Sequence, residues 1–150
     1  MEHSPKILHI DKTRSYNMSM IHGENTKPEL MVRRFLFGNG FRYRINVKSL
    51  PGKPDILLPK YRTAIFINGC FWHGHPDCKY FVIPKTRTEW WIKKIQKTKE
   101  RDESACHQLR LLGWNVIVVW ECQLKPPLKE NTFKAITDFL YKSYLELFKI

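Results

Sequence analysis

The feature that most constrains the fold is the stretch from residue 69 to residue 78, which reads GCFWHGHPDC. Cysteine, histidine, aspartate and large aromatic residues crowd together there without the apolar period of a helix or a strand, so we expect a loop. Zinc binds four thiolate or imidazole ligands in a tetrahedron, and a short loop can supply several of them. Cys70, His75 and Cys78 have this chemistry, with His73 as a second possible register. The stretch predicts a metal-binding loop, against the alternative of unrelated core cysteines and surface histidines.

A fourth ligand has to come from another part of the chain. Cys122 directly follows the apolar segment WNVIVVWE, and the end of a strand can lie beside a loop of the same sheet. Cys106 lies in the middle of a predicted helix, and we interpret it as a small helix residue. The N-terminal segment lacks the apolar core of a signal peptide, and no apolar run reaches the roughly 20 residues of a membrane span. We therefore expect a cytoplasmic protein without membrane contact, whose reduced cysteines favour a metal over disulfides.

The charge of the chain favours a polyanionic partner. There are 26 lysine and arginine residues against 14 aspartate and glutamate residues, a formal net charge of +12. The basic residues are spread over the sequence, in KTRS, RRF, RYR, KYR, KTR and KKIQKTKER, so a whole surface is basic. Solubility alone is the simpler explanation of such a charge. We favour nucleic acid, because its phosphates attract basic surfaces.

The hydrophobic pattern predicts alternating helices and strands. The segment TKPE at residues 26–29 is typical of a helix start, with threonine as the cap and glutamate reaching back to the cap amide. That helix should end at the segment GNG, residues 38–40. Three strands are expected in the segments FRYRINV, DILL and TAIFI. After the loop, TRTE at residues 86–89 predicts a second capping box and a helix from about Glu89 to Leu112.

This second helix should turn the side chains of Trp91, Ile95, Leu109 and Leu112 inward, and only one of the adjacent Trp90 and Trp91 can do so. WNVIVVW is the clearest strand, and a last amphipathic helix follows the two prolines at 126 and 127. The order helix, three strands, loop, helix, strand, helix predicts an α/β fold with a mixed central sheet flanked by helices. We expect one domain over residues 1–150, of which residues 1–12 are irregular and mobile.

Three residues are candidates for catalysis. Asp55 opens a strand after a turn, where a carboxylate can hold magnesium together with a backbone carbonyl of the neighbouring strand, although aspartate is also common in turns without a metal. A zinc site with four ligands would use one histidine of the loop and leave the imidazole of His73 free. A neutral imidazole can take a proton from water near pH 7. Glu29 already has the capping role, which the spacing alone favours over a catalytic role.

Five motifs resemble those of one enzyme family, in the same order and with little change in spacing. They are RSYNM at residues 14–18, LPGKPD at 50–55, FINGCFWHGHPDC at 66–78, PKTRTEWW at 84–91 and LGWNVIVVWEC at 112–122. Through them the chain resembles the very short patch repair endonucleases, bacterial enzymes that nick DNA at T:G mismatches left when 5-methylcytosine deaminates. The resemblance implies a restriction-endonuclease-like core, a structural zinc and a magnesium-dependent active site.

The resemblance also implies a role for individual positions. Asp55 is implied to bind magnesium together with the backbone carbonyl of Ile67, His73 to be catalytic, and Glu29 to be an assisting acid beside its capping role. The implied zinc ligands are Cys70, His75, Cys78 and Cys122. The implied DNA contacts are the wedging aromatic residues Phe71, Trp72 and Trp91, together with Asn68, Arg14, Lys85 and Arg87. Basic residues from Arg87 to Arg101 should hold the DNA backbone and make binding salt-dependent.

Three positions depart from the family pattern. Ile67 and Asn68 stand where the family strand has threonine and histidine, and one extra residue lies between His75 and Cys78. The expected partners are double-stranded DNA with a T:G mismatch and mismatch-repair proteins, bound by a monomer at the nucleoid of the bacterial cytoplasm. Two alternatives stay open at this point. One is a nuclease that needs no mismatch, and the other is a zinc-stabilised DNA-binding module without catalysis.

Overall fold

A computed structural model describes residues 24–149 of the chain. The predicted mobile segment 1–12 and the RSYNM motif with Arg14 lie outside the described residues. The regular elements are α1 (Lys27–Gly38), β1 (Arg44–Ile45), β2 (Ile56–Leu58), β3 (Thr63–Asn68), α2 (Thr88–Leu111), β4 (Asn115–Trp120) and α3 (Lys129–Glu146). Their order is the one that the hydrophobic pattern predicts.

The four strands form one mixed sheet in the order β1-β2-β3-β4. The first two pairs are antiparallel, whereas β3 and β4 are parallel. A parallel pair needs a long crossover connection, which here contains the 69–78 loop and α2. The register places Asn68 opposite Trp120 at the ends of β3 and β4. The 69–78 loop therefore begins at the same end of the strands as Cys122, which follows β4.

The sheet separates two hydrophobic clusters. On one face the buried side chains of Leu36 in α1 and Leu140 in α3 belong to the same cluster as Ile65 of β3. On the other face Ala64 of β3 forms a second cluster with Leu109 of α2. Neighbouring residues of a strand point to opposite faces, so a strand covered on both faces is apolar throughout, as TAIFI is. The prediction of a mixed α/β fold with helices on both sides of the sheet is confirmed.

The first helix begins at its predicted cap but uses Glu29 differently. The Thr26 Oγ1 caps α1 by accepting a hydrogen bond from the Glu29 N–H at 3.4 Å. The Glu29 carboxylate accepts a hydrogen bond from the Asn25 N–H at 3.0 Å, one residue before the cap amide that the capping box predicts. The helix ends at Gly38, as predicted, with Asn39 as its C-cap.

The predicted capping box at residues 86–89 is wrong. α2 begins at Thr88, and its N-cap residue Arg87 has a φ of +53° and makes no side-chain capping bond. The Thr88 Oγ1 donates instead to the Pro84 carbonyl at 2.9 Å, which ties the start of α2 to the preceding loop.

Two further expectations need correction. Leu112 does not face inward but is 55% exposed, because α2 ends one residue before it. Of the segment FRYRINV only Arg44–Ile45 forms a strand, since Asn46 has a φ of +48°, which ends the extended conformation. None of the helices within residues 24–149 combines the length and the apolar content of a membrane span.

Candidate active site and candidate metal centre

An open cleft of about 820 Å³ lies at the end of β3, where the 69–78 loop begins. Five segments that are distant in sequence contribute to it: the start of α1, the segment between β1 and β2, the end of β3 with the following loop, α2, and β4 with the turn that follows it. Six of the predicted site residues line this cleft: Glu29, Asp55, Ile67, Asn68, Trp72 and His73. The structure thus brings the three candidate catalytic residues into one place.

Asp55 immediately precedes β2, and its Oδ2 accepts a hydrogen bond from the Ile67 N–H at 2.7 Å. Burial raises the pKa of Asp55 to about 6 against the lowering effect of this hydrogen bond, and the charge of Glu29 adds to the rise. A cation would favour the ionised carboxylate. Because the N–H and C=O of one strand residue face the same neighbour, the Ile67 carbonyl lies on the side of Asp55. These oxygen donors fit the preference of magnesium.

The His73 imidazole is held by Asp102, a residue that the sequence analysis misses. The His73 Nδ1 lies 2.6 Å from the Asp102 Oδ2 on α2. An ionised carboxylate only accepts hydrogen bonds, so the proton of the neutral imidazole lies on Nδ1 and a lone pair is left on Nε2. His73 can therefore accept a proton at Nε2 while Asp102 orients the ring. Asp102 belongs to the run KERDE, which has the composition of any solvent-exposed helix face.

Glu29 is 2% exposed at the start of α1 and still lines the cleft. Its Oε2 accepts two hydrogen bonds at 3.0 Å, one from the Asn25 N–H and one from the Arg33 Nη2. A buried carboxylate requires such compensation, because its charge is otherwise costly to remove from water. Glu29 therefore combines a local structural role with a position in the cleft. The capping interpretation and the catalytic interpretation do not exclude each other.

Four ligand residues form a candidate metal centre, since the ligand atoms of Cys70, His75, Cys78 and Cys122 all lie within 4.8 Å of one another. The fourth residue reaches the loop because β4 ends beside it, and the Cys122 N–H donates to the Cys70 Sγ at 3.4 Å. The four cysteines of the chain are free, so no disulfide competes for these sulfurs. Three thiols and one imidazole match the donor set of a structural zinc site, and His73 stands outside the group.

The chemistry of the donor atoms also fits zinc. Burial raises the pKa of the Cys70 thiol to about 12 and raises the pKa of Cys122 as well. Neutral thiols are poor ligands, and a bound zinc ion deprotonates them by supplying the opposite charge. The extra residue between His75 and Cys78 is accommodated by a turn in which Asp77 has a φ of +54°.

Phe71, Trp72 and Trp91 form an aromatic cluster that reaches the cleft through Trp72. The ring centroids lie 5.1 Å apart for Phe71 and Trp72, 5.3 Å for Phe71 and Trp91, and 5.9 Å for Trp72 and Trp91. Trp91 is partly buried, whereas the neighbouring Trp90 is 43% exposed. Only one of these two adjacent indoles turns inward, as predicted.

Two cations contact the Trp90 ring, and one of them, Lys94, also lines the cleft. The Arg87 guanidinium lies over the Trp90 ring at 4.6 Å from its centroid, and the Lys94 Nζ lies 5.2 Å from the same centroid. Lys85 is exposed in the loop before α2. Asn68 is 7% exposed and lines the cleft at the end of β3. Arg87 thus lies beside the aromatic cluster through Trp90, whose ring centroid is 4.8 Å from that of Trp91.

Comparison with known proteins identifies the family. Residues 8–80 match the model of the family described as DNA mismatch endonuclease Vsr. The chain is 54% identical over 112 residues to the type II nicking enzyme V.NmeAIP of Neisseria meningitidis serogroup A, which covers 75% of this chain and 79% of the relative. It is 45% identical over 133 residues to the DNA mismatch endonuclease Vsr of Escherichia coli, which covers 89% of this chain and 84% of the relative.

A third relative gives the same result. The type II nicking enzyme V.XorIIP of Xanthomonas oryzae is 43% identical over 111 residues, which covers 74% of this chain and 81% of the relative. The aligned regions span most of each protein, so the similarity extends over the fold and is not confined to one motif. The chain therefore belongs to the Vsr family and is a DNA endonuclease.

Proposed function

We propose that this endonuclease nicks duplex DNA beside the mismatched thymine of a T:G pair, by magnesium-dependent hydrolysis of a phosphodiester. The observation that carries the proposal is the position of the His73–Asp102 pair and of Asp55 in one cleft, next to an aromatic cluster. The names of the relatives support it, because one is a mismatch endonuclease and others are nicking enzymes. A restriction-endonuclease-like core agrees with the mixed sheet between helices.

The side chains of the cleft divide the chemistry among them. Asp55 and the Ile67 carbonyl would hold magnesium, which supplies positive charge to a bound water and to the phosphate oxygens. His73 accepts a proton from the attacking water at Nε2, and Asp102 stabilises the imidazolium that forms. The water oxygen bonds to phosphorus as the bond to the leaving oxygen breaks, and the leaving oxygen takes a proton from solvent water to become a hydroxyl group. Glu29 lines the same cleft and assists hydrolysis as a hydrogen-bond acceptor.

The aromatic cluster supports selectivity for a mismatch. Inserting side chains such as Phe71, Trp72 and Trp91 between base pairs costs on the order of a few kcal/mol of unstacking, and the cost is smallest at a mismatched pair. Because unstacking costs less there, the complex with a mismatched duplex would be more stable than the complex with a fully paired duplex. Arg87, Lys94 and the other basic residues of α2 would hold phosphates, so binding weakens as the salt concentration rises.

Zinc at the candidate metal centre has a structural part in this proposal. It would join the 69–78 loop to the end of β4 through Cys70 and Cys122, and it would keep His73 free for chemistry. The protein would act as a monomer in the bacterial cytoplasm, and mismatch-repair proteins would process the nick. The proposed cofactors are thus one structural zinc ion and catalytic magnesium.

A nicking assay tests the proposal. Duplexes that differ only in a T:G or T:A pair are incubated with the zinc-loaded protein, with and without magnesium, and compared with the variants D55A and H73A. We expect nicking of the T:G duplex only, with magnesium only, and loss of nicking in both variants. Equal nicking of the two duplexes would refute the mismatch requirement. Full activity of either variant, or nicking without a divalent cation, would refute the mechanism.

A further inference from the structure

Arg33 is a buried cation that contacts Glu29, a residue of the cleft. It lies in α1 one helical turn after Glu29, and it is 7% exposed. Arginine is almost never this buried without charged or hydrogen-bonding partners. Here the Nη2 donates to the Glu29 Oε2 at 3.0 Å and the Nη1 donates to the Asn25 Oδ1 at 2.7 Å. The neighbouring Arg34 is exposed, so burial is a property of this position and not of the helix.

The contacts close a ring around one carboxylate oxygen. The Asn25 N–H donates to the same Glu29 Oε2 that the guanidinium contacts. The Arg33 Nε is buried and has no hydrogen-bond partner among residues 24–149. The orientation of the guanidinium therefore allows hydrogen bonds from its two terminal nitrogens but none from Nε. The Glu29 Oε1 has no hydrogen-bond partner among the same residues, and Glu29 lines the cleft. One outer nitrogen contacts Glu29 directly, and the other holds Asn25, whose N–H donates to the same carboxylate oxygen.

We propose that Arg33 is a positioning residue of the active site, which fixes the Glu29 carboxylate through Oε2 so that Oε1 is presented to the cleft. The proposal rests on the assisting role of Glu29 in the proposed function. The Arg33 Nη2 and the Asn25 N–H both donate to Oε2, and the planar guanidinium holds Asn25 through Nη1, so the two donors to the carboxylate are fixed relative to each other. The positive charge of Arg33 also lowers the pKa of Asp55, so its influence extends across the cleft.

Single-turnover nicking of a T:G duplex tests this role with the zinc-loaded, magnesium-supplied protein. Removing a residue that orients an active-site group typically costs about 10- to 100-fold in activity, and we expect this loss in R33Q without a change in the Kd for DNA. The matched control R34Q removes an exposed charge from the next position of the same helix, and it should stay within about twofold of the unmodified protein. Nicking by folded R33Q at the unmodified rate would overturn the proposal.

The double variant separates positioning from a general effect on the fold. If Arg33 acts through Glu29, E29Q/R33Q nicks no more slowly than E29Q, because the residue to be oriented is already changed. Losses that multiply in the double variant would refute the proposal. If thermal unfolding shows that R33Q is unfolded at the assay temperature, R33K takes its place. R33K keeps the buried charge but not the two-pronged contact, and a folded R33K that nicks at the unmodified rate equally refutes the role.

A second measurement needs neither metal in the active site nor DNA. The carboxyl carbon resonance of Glu29 reports the hydrogen bonds of its carboxylate in the zinc-loaded, magnesium-free protein. We expect this resonance to shift in R33Q and to stay in place in R34Q, and an unshifted resonance in R33Q would overturn the proposal. If the protein instead nicks T:A and T:G duplexes equally, the mismatch proposal fails, while the rates and the Glu29 resonance still decide the role of Arg33.

Discussion

Replacing Asp102 by asparagine tests the central contact of the active site. The substitution keeps the size of the side chain and an oxygen that can accept a hydrogen bond from the His73 Nδ1, but it removes the negative charge 2.6 Å from that nitrogen. When the Nε2 accepts a proton during attack, the imidazole becomes cationic, and the carboxylate stabilises it more than the amide does. D102N should therefore slow the hydrolytic step and leave DNA binding unchanged.

The magnitude follows from the strength and the exposure of this contact. A hydrogen bond to a charged group contributes roughly 1.5–3 kcal/mol. A factor of ten in rate corresponds to about 1.36 kcal/mol, so complete loss would slow nicking by about 10- to 150-fold. The His73 and Asp102 side chains are 28% and 35% exposed, so water screens part of the interaction. We expect the lower part of this range, a rate reduced by about 10- to 40-fold.

Single-turnover nicking at saturating protein measures this rate separately from binding and product release. E103Q is the matched control, because Glu103 is the next residue of α2 and is exposed. H73A should be slower than D102N, and adding D102N to H73A should cost nothing further, since Asp102 has no imidazole left to orient. A D102N variant with the rate of the unmodified protein would refute the assignment, and so would a further loss in the H73A background.

Three further predictions address the metal centre, the aromatic cluster and the conformation of the 69–78 loop. C70S should lose the bound zinc, measured by atomic emission, and with it thermal stability and nicking, whereas C106S should retain about one zinc per chain; a zinc-loaded C70S would contradict the ligand set. W91A should lose on the order of 1–3 kcal/mol of stacking and with it most of the preference for T:G over T:A duplexes in binding titrations, and an unchanged preference would contradict the wedge. G74A should lower the melting temperature, because Gly74 has a φ of +62° and an added Cβ would lie 2.6 Å from the Ile95 Cγ2; an unchanged melting temperature would show that this close approach carries no cost.

Much of this architecture follows from local sequence, because the signals are local. The apolar run that forms β3 predicts a strand without knowledge of the neighbouring strands. The closely spaced cysteines and histidines of the 69–78 loop predict a metal site. Cys122 could be added because a strand end and a loop of the same sheet are neighbours. The capping signal at Thr26 is also local, and the structure shows the cap.

The parts that sequence reasoning misses depend on contacts between segments. Asp102 is one charge in a charged helix, and only the packing of α2 against the 69–78 loop gives it a partner. Arg33 resembles Arg34 in sequence, and only burial distinguishes them. The capping box expected at residues 86–89 fails for a related reason: the chain enters α2 with Arg87 in the left-handed region, and Thr88 bonds back to Pro84. Local propensity is there outweighed by the path of the loop.

β3 brings together candidate site residues that are distant in sequence. Asp55 is fixed to this strand by the Ile67 N–H, and the loop that carries His73 begins directly after its last residue. The His73 N–H donates to the Gly69 carbonyl at 3.1 Å, so the turn that carries the imidazole closes onto the end of the strand.

Residues of the candidate metal centre lie in this turn on both sides of His73. Two of its ligands, Cys70 and His75, flank the imidazole in sequence, and the His75 N–H donates to the Cys70 carbonyl at 2.9 Å. Asp55, in contrast, depends on the sheet alone. If zinc binds there as proposed, its loss should displace His73 from Asp102 while leaving Asp55 on β3, so the centre would influence the proposed proton transfer by holding His73 in position.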